Sequence, residues 1–332
     1  MVNRAKQNLG VQKWVALISV LLLGCKFFAY YLTHSVAILT DALESIVNVT
    51  AGFIGLYSLY VSAKPRDSDH PYGHGKIEFI SAAVEGTMIG VAGVIILYKA
   101  ILQLFHPVGL EKIDYGIIVI AVTALINYIT GFFCLRTGKK NNSAALMASG
   151  QHLLTDTVST VGIIAGLALL YFTGFNWIDS AVALLFGVYI VFTGYRIIRS
   201  SIGGIMDEAD TAILEVMVKV LNNHRRENWV DLHNLRVIRY GSILHVDCHL
   251  TVPWYLNVHE AHQEIDALAE TIRKEFGESL ELFVHSDGCL PFSCRICNKA
   301  ACSERKNNFE KQIVWTLENI SSNKKHELKD HD

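Results

Sequence analysis

Two short stretches place metal-type side chains inside otherwise apolar runs. In Asp41-Ala42-Leu43-Glu44-Ser45-Ile46-Val47-Asn48 and in Gln151-His152-Leu153-Leu154-Thr155-Asp156, polar residues stand four apart. On a helix this puts Glu44 and Asn48 on one face, and likewise His152 and Asp156. A single polar residue in such a run commonly bonds a neighbouring helix. Two carboxylates are different, because an ionised group at membrane depth is costly unless it meets a partner or a cavity. One divalent cation satisfies two carboxylates, an imidazole and an amide oxygen together. The spacing therefore predicts a cation site formed by Glu44, Asn48, His152 and Asp156 on helices lying side by side. Asp41, one turn before Glu44, is either a fifth ligand or a residue at the start of its helix.

Two more clusters have ligand spacing. Asp67, His70 and His74 offer one carboxylate and two imidazoles at intervals of three and four, which suits one ion. The same segment also reads as a fold-determining turn, with Gly73 and Gly75 allowing tight backbone and Lys76 forming an ion pair. Cys289-x4-Cys294-x2-Cys297-x4-Cys302 has the pattern of a structural tetrahedral zinc site in a reducing compartment. Disulfides or free thiols are its alternatives. Cys25 and Cys134 lie in apolar runs and are expected in the core.

These residues need a membrane scaffold. The chain has 332 residues, of which 51% are hydrophobic and 18% charged, and its mean hydropathy is +0.31. That composition points to a multi-pass α-helical membrane protein with a soluble part. The formal net charge is -2, and the basic residues cluster at the ends of apolar runs, so nothing points to nucleic acid. Six segments are long enough to span a bilayer: Trp14–Thr33, Val36–Ser62, Phe79–Phe105, Tyr115–Leu135, Ser143–Phe172 and Ile178–Ile198. A tight turn at His34-Ser35 separates the first two, and no cleavable signal peptide is evident. Arg4, Lys6 and Lys13, then Lys64, Arg66 and Lys76, then Arg136, Lys139 and Lys140, then Arg196 and Arg199 mark alternate ends. The positive-inside rule places both termini in the cytoplasm.

From Asp207 the chain reads as soluble. Thr211–Asn223 and Val258–Phe276 have helical periodicity, and Leu232–Tyr240, Ile243–Val252 and Leu280–Val284 read as strands, with a hairpin at Gly241-Ser242. The order αββαβ predicts a small α+β domain with helices on one face of a sheet. A helix is expected around Phe309–Ile320, followed by a loose tail. The plan is a transmembrane domain at 1–205, a soluble domain at 206–288 and a cysteine-rich extension at 289–332.

Several stretches resemble the cation diffusion facilitators, a family of metal–proton antiporters. They are Ser35-Val36-Ala37-Ile38-Leu39-Thr40-Asp41-Ala42-Leu43-Glu44-Ser45, then His70-Pro71-Tyr72-Gly73-His74-Gly75-Lys76-Ile77-Glu78, then His152-x3-Asp156. The resemblance runs from about Trp14 to Asp287. It implies a homodimer in the lipid bilayer, of six-helix protomers with ferredoxin-like, metallochaperone-like cytoplasmic domains, in the inner or plasma membrane. It implies a transport site at Glu44, Asn48, His152 and Asp156, and an accessory zinc site at Asp67, His70 and His74. It further implies a regulatory binuclear site at the dimer interface from His233, His249, His262, His285 and Asp287, and a Lys76–Asp207 charge interlock. His245 and His259 have no such match and are expected to face solvent. The family's commonest pair on the second helix is Asp or His followed by Asp. Glu44 followed by Asn48 therefore lacks one ligand charge unless Asp41 supplies it.

The expected function is efflux of a divalent metal, zinc-like or iron, manganese or cobalt, by alternating access. Loading Glu44, His152 and Asp156 requires their deprotonated forms, so protons are the expected counter-substrate, and a histidine near its ordinary pKa of about 6.5 exchanges its proton in the working range. No His-Glu-x-x-His or nucleophile elbow points to an enzyme. The alternative is a membrane-anchored metal sensor or scaffold, although an anchor needs one or two helices rather than six.

Overall fold

A computed structural model describes residues 2–33, 36–105, 116–173, 177–241, 243–277 and 279–328; within its helices, the side chains at 2–5, 29–30, 32–44, 47, 103, 116–120, 159, 163–173 and 177–179 lie outside the description. The expected turn at His34-Ser35 also lies outside it. The chain falls into two compact units, residues 1–206 and 207–332.

The first unit contains six long helices: α1 (Val2–Thr33), α2 (Val36–Ser62), α3 (Ile77–Phe105), α4 (Gly116–Asn141), α5 (Ala144–Thr173) and α6 (Trp177–Ile205). Among the described residues, three stretches are long and apolar enough to cross a membrane: Lys6–Phe28, Ile77–Leu102 and Ser180–Ile205. Helices α2, α4 and α5 each include side chains outside the description.

Lipid offers no hydrophobic drive for helix association, so close backbone packing has to supply it. A Cβ at Gly194 of α6 would stand 2.7 Å from the Gly90 nitrogen and 2.8 Å from the Gly86 oxygen of α3. A Cβ at Gly150 of α5 would stand 2.6 Å from the Leu135 nitrogen of α4. Glycine at these places lets α3 meet α6, and α4 meet α5, backbone to backbone.

The second unit has α7 (Thr211–Asn223), β1 (Asp231–Tyr240), β2 (Ile243–Val252), α8 (Val258–Phe276), β3 (Leu280–Gly288) and the short α9 (Leu317–Ile320). Local signals fix the ends of the two long helices. Asp210 accepts from the Ile213 nitrogen at 3.0 Å to cap α7. Asn257 and Glu260 form a reciprocal capping box at α8, and Gly277 ends that helix at φ 82°. The sheet order is β1-β2-β3, with β1 antiparallel to β2 and β2 parallel to β3 through the α8 crossover. Leu214, Met217 and Leu221 of α7 and Leu268 and Ile272 of α8 pack with Leu232, Val237, Val246, Cys248 and Leu250, so both helices cover one face.

Two expectations about the C-terminal segment change. The helix expected at Phe309–Ile320 is confined to Leu317–Ile320. The Arg225 guanidinium donates to the Ile313 carbonyl at 2.6 Å and lies 4.0 Å over the Trp315 ring. Asn222 bonds both the nitrogen and the oxygen of Trp315, at 3.1 and 2.8 Å. Those bonds occupy the backbone groups a helix would have used. The tail expected to be loose is docked, because the Asn234 nitrogen donates to the Ser322 carbonyl at 2.7 Å and the His326 nitrogen donates to Asp231 at 2.9 Å.

Candidate metal centres

In the first unit, α2 and α5 bring Asn48, His152 and Asp156 together. The Asn48 amide nitrogen donates to Asp156 Oδ2 at 2.6 Å, and its oxygen lies 2.8 Å from His152 Nε2. His152 Nε2 stands 3.9 Å from Asp156 Oδ2. Asn48 thus bridges the imidazole and the carboxylate, and all three present donor atoms to one spot. His152 is 5% exposed, and its Nδ1 is buried without a hydrogen-bond partner among the described residues. The side chains of Asp41 and Glu44 lie outside the described residues.

One turn earlier on α5, Ser149 accepts from Gln12 at 3.2 Å and donates to Glu85 at 2.9 Å. Lys26 donates to Ser45 at 2.7 Å, and Glu78 accepts from Ser62 at 2.8 Å and from Ser143. The sequence reading missed Lys26 and Glu85. The signal was present, since each is a charge within an apolar run, the same test that singled out Glu44. Cys134 is buried as expected, whereas Cys25 is exposed. Around it α1 turns Lys26 inward toward Ser45, which leaves the neighbouring position facing out.

After α2, Asp67 organises its loop. Its Oδ1 accepts from the Asp69 and His70 backbone nitrogens at 3.1 and 2.7 Å and lies 3.0 Å from His70 Nδ1. Its Oδ2 lies 3.4 Å from His74 Nε2. The His70 hydrogen bond holds the Asp67 carboxyl below its usual range. A ligand atom from each of Asp67, His70 and His74 lies within 4.8 Å of the other two. Gly73 turns the chain at φ 90°. The turn and the ligand set are therefore the same structure. Lys76 donates to the Ile205 carbonyl at 3.3 Å, and Asp207 opens the second unit at φ 58°.

In the second unit, strand register builds the group. His233 of β1 pairs with His249 of β2, which pairs with His285 of β3; two residues along, Asp231, Thr251 and Asp287 form the next row. Alternation puts both rows on the face away from α7 and α8. His233 Nε2 and His249 Nδ1 lie 3.7 and 3.6 Å from Asp287 Oδ2, and His285 Nε2 lies 3.6 Å from Asp287 Oδ1. The atoms of His233, His249 and Asp287 lie within 4.8 Å of one another. His262 is not brought to this group within one chain; it is exposed on α8, 3.7 Å from Asp266.

Three residues that the sequence reading missed complete the surroundings. Asp231 Oδ2 approaches His233 Nδ1 at 3.5 Å, longer than a good hydrogen bond, and leaves the imidazole Nε2 facing Asp287. His326 Nδ1 lies 2.5 Å from Asp231 Oδ1, and Lys325 Nζ stands 3.4 Å from Asp287 Oδ1. Burial works against charge on Asp231, but the approach of His233 and the hydrogen bonds from His326 outweigh it and hold the carboxyl well below its usual range. Burial, then the neighbouring His233, lowers His249.

His259 is exposed as expected, but His245 is not. It is 3% exposed, with its ring 4.8 Å from Tyr240 and its Nδ1 3.3 Å from Glu281. The reason is register, since β2 is the central strand and His245 sits between Ile238 of β1 and Glu281 of β3.

Cys289, Cys294, Cys297 and Cys302 are all free thiols and line one cavity of about 140 Å³.

Residues 13–206 match the cation efflux transmembrane domain, and residues 209–289 match the cytoplasmic domain of cation efflux proteins. The chain is 36% identical over 252 residues to the uncharacterized transporter sll1263 of Synechocystis, covering 75% of this chain and 81% of that relative. It is 28% identical over 278 residues to the cation-efflux pump FieF of Pectobacterium atrosepticum, covering 81% and 89%. FieF of Escherichia coli K12 is 26% identical over 279 residues, with the same coverage. With the transmembrane match alone spanning more than half of the sequence, the chain belongs to the cation efflux family, the cation diffusion facilitators.

Proposed function

We propose that the protein exports divalent transition-metal cations from the cytoplasm by alternating access, in exchange for protons. The observation that carries this reading is the convergence of Asn48, His152 and Asp156 from two helices of a transmembrane domain. Glu44, one turn from Asn48 on α2, supplies the second carboxylate, and Asp41 a third. An imidazole among oxygen ligands suits a borderline metal such as zinc, while the neutral Asn48 amide leaves room for iron, manganese or cobalt. Metal loading displaces protons from His152 and the carboxylates, and proton return releases the metal on the far side.

Six spans with both termini in the cytoplasm accommodate this site and follow the distribution of basic residues. Residues 206–288 form the dimerisation domain, and residues 289–332 a cysteine-rich extension. The His233, His249, His285 and Asp287 group binds metal as a regulator, with the exposed His262 completing it across the dimer. Metal bound there stabilises the assembled form by mass action. Asp67, His70 and His74 hold an accessory ion.

A membrane-anchored metal sensor is the second reading, favoured by the histidine–aspartate group alone. Metal uptake into inside-out vesicles separates the two. The exporter loses uptake with Asp156→Ala and keeps it with His285→Ala; a protein that moves no metal in either form is a sensor. Uptake that ignores an imposed pH gradient would remove the proton from the cycle while leaving transport intact.

A further inference from the structure

The cysteine-rich loop lies outside every feature that the transport reading uses. It begins where β3 ends, with the Cys289 nitrogen donating to the Val252 carbonyl at 2.9 Å and so extending the sheet by one rung. Cys294 sits in a single 3-10 turn at Pro291–Arg295, and the Cys297 nitrogen donates back to the Cys294 carbonyl at 3.4 Å. Arg305 then gathers the loop, donating to the carbonyls of Cys294, Cys297 and Lys299 at 3.0, 3.1 and 2.6 Å. One guanidinium thus ties three carbonyls of the loop together, and the four thiols line a common cavity.

Two donors point at the sulfurs. The Lys306 backbone nitrogen lies 3.5 Å from Cys294 Sγ, and the Tyr255 hydroxyl lies 3.7 Å from Cys302 Sγ. Donors of this kind stabilise thiolate in preference to thiol, and they are the outer partners that metal-bound cysteines use. Four thiols lining one cavity, with N–H and O–H donors beside two of them, supply the ligand types that a closed tetrahedral site needs.

We propose that Cys289, Cys294, Cys297 and Cys302 bind one zinc ion as a structural tetrathiolate site, and that this site fastens the C-terminal segment over the histidine–aspartate group. The second half follows from Arg295, which lies between two of the ligands. It grips Glu310 with two nitrogens at 2.6 and 3.2 Å and donates to the Leu328 carbonyl at 3.4 Å. Three residues before Leu328, Lys325 stands on Asp287, and His326 stands on Asp231. Ordering the loop therefore orders both ends of the strap. Binding drives four thiol protons into solvent as four Zn–S bonds form, with no change in oxidation state.

The test uses the full-length purified protein. After a mild chelator strips the oxygen- and nitrogen-ligated ions, one zinc per chain should remain. Replacing it with cobalt(II) should give a thiolate-to-metal charge-transfer band and the intense visible absorption of tetrahedral cobalt. Cys297→Ser should lose both, Cys297→His should keep the metal with an altered spectrum, and Cys25→Ser should change nothing. Wild-type protein whose four loop thiols titrate freely and that shows no charge-transfer band would overturn the site. So would stoichiometric iron with acid-labile sulfide, because cysteines at four- and two-residue intervals also hold iron–sulfur clusters. For the strap, hydrogen exchange at residues 322–328 should rise at least severalfold on zinc removal. Unchanged exchange with the zinc gone would overturn the fastening.

Discussion

The site between α2 and α5 and the group on the sheet contain similar side chains but pair their polar groups in different ways. In the first, the ligands satisfy one another: the Asn48 amide gives its hydrogen to Asp156 and its oxygen to His152. In the second, the carboxylates are met by a cation and an imidazole from the tail, Lys325 on Asp287 and His326 on Asp231. The difference follows from geometry. Two helices bring donors within reach over a single turn, so a neutral amide closes the site internally. Three strands spread their donors along rows, and an outside segment has to fill the gap. A site that must load and release repeatedly gains from small internal rearrangements, whereas one that reports metal gains from a competitor that metal displaces.

The sharpest way to break this contrast is Asp156→Ala. Transport should fall by on the order of 100-fold, at or beyond the loss that follows when even an outer-shell partner of a metal is removed, and metal binding on the sheet should be unaffected. Vesicle flux and calorimetry on the same preparation measure both. Next in size is Asp231→Asn, which removes the carboxylate behind His233 Nδ1; metal affinity of the sheet group should drop by about 10- to 100-fold while flux persists. Asn48→Asp restores the missing charge and should tighten zinc binding between α2 and α5 by about tenfold; unchanged affinity in a competition titration would mean that Asn48 is no ligand.

The smaller effects concern the tail. Lys325→Ala removes a partly buried competitor, so metal should bind the sheet group about two- to fivefold more tightly, in line with the modest worth of such ion pairs. The pH dependence of the metal-free protein should sharpen this further. His326 faces Asp231, with the Asn319 carbonyl, Arg225 and His233 around them. Burial disfavours its charge, but Asp231 overcomes this and raises the imidazole above its usual range. A raised histidine contributes fully below its unfolded value, about 6.5, and the contribution is lost as pH rises through the folded value. The lowered Asp231 contributes above its ordinary range and is lost only as pH falls through its depressed value. Tail docking should therefore be strongest in mildly acidic solution and loosen toward alkaline pH, as followed by proteolysis at Lys324 and Lys325.

Where periodicity and caps act locally, the sequence was read directly. The ends of α7 at Thr211 and Asn223, of α8 at Val258 and Phe276, and of β2 at Ile243 and Val252 agree with the periodicity; in the structure Asp210 and the Asn257–Glu260 box hold the two helix starts. Spacing put His152 and Asp156 on one helix face and Asn48 on a face of another; the contacts of Asn48 with both are a matter of helix packing that spacing does not carry. What was not legible depends on contacts distant in sequence. Asp231 acquires its role only once three strands are in register, and His245 is buried because its strand turned out to be central. Arg225 pulls residues 313–315 out of the helix that their composition favoured through bonds to residues 88 or more positions away. Such side-chain-to-backbone bonds leave no periodic trace.

The pairing of β1 with β2 slips between His233 and Arg236, where Asn234 takes φ 52°. Upstream of the slip, odd-numbered residues carry the imidazole and carboxylate; downstream, odd-numbered Val237 belongs to the apolar core. That one surplus residue reconciles two faces that a regular strand would set at odds. It also leaves a backbone nitrogen with no ladder partner, and Ser322 takes it up. Removing a single residue here would accordingly do more harm than most replacements. It would force a choice between an oily interior and an ion-binding exterior, and it would unhook the chain's far end in the same stroke.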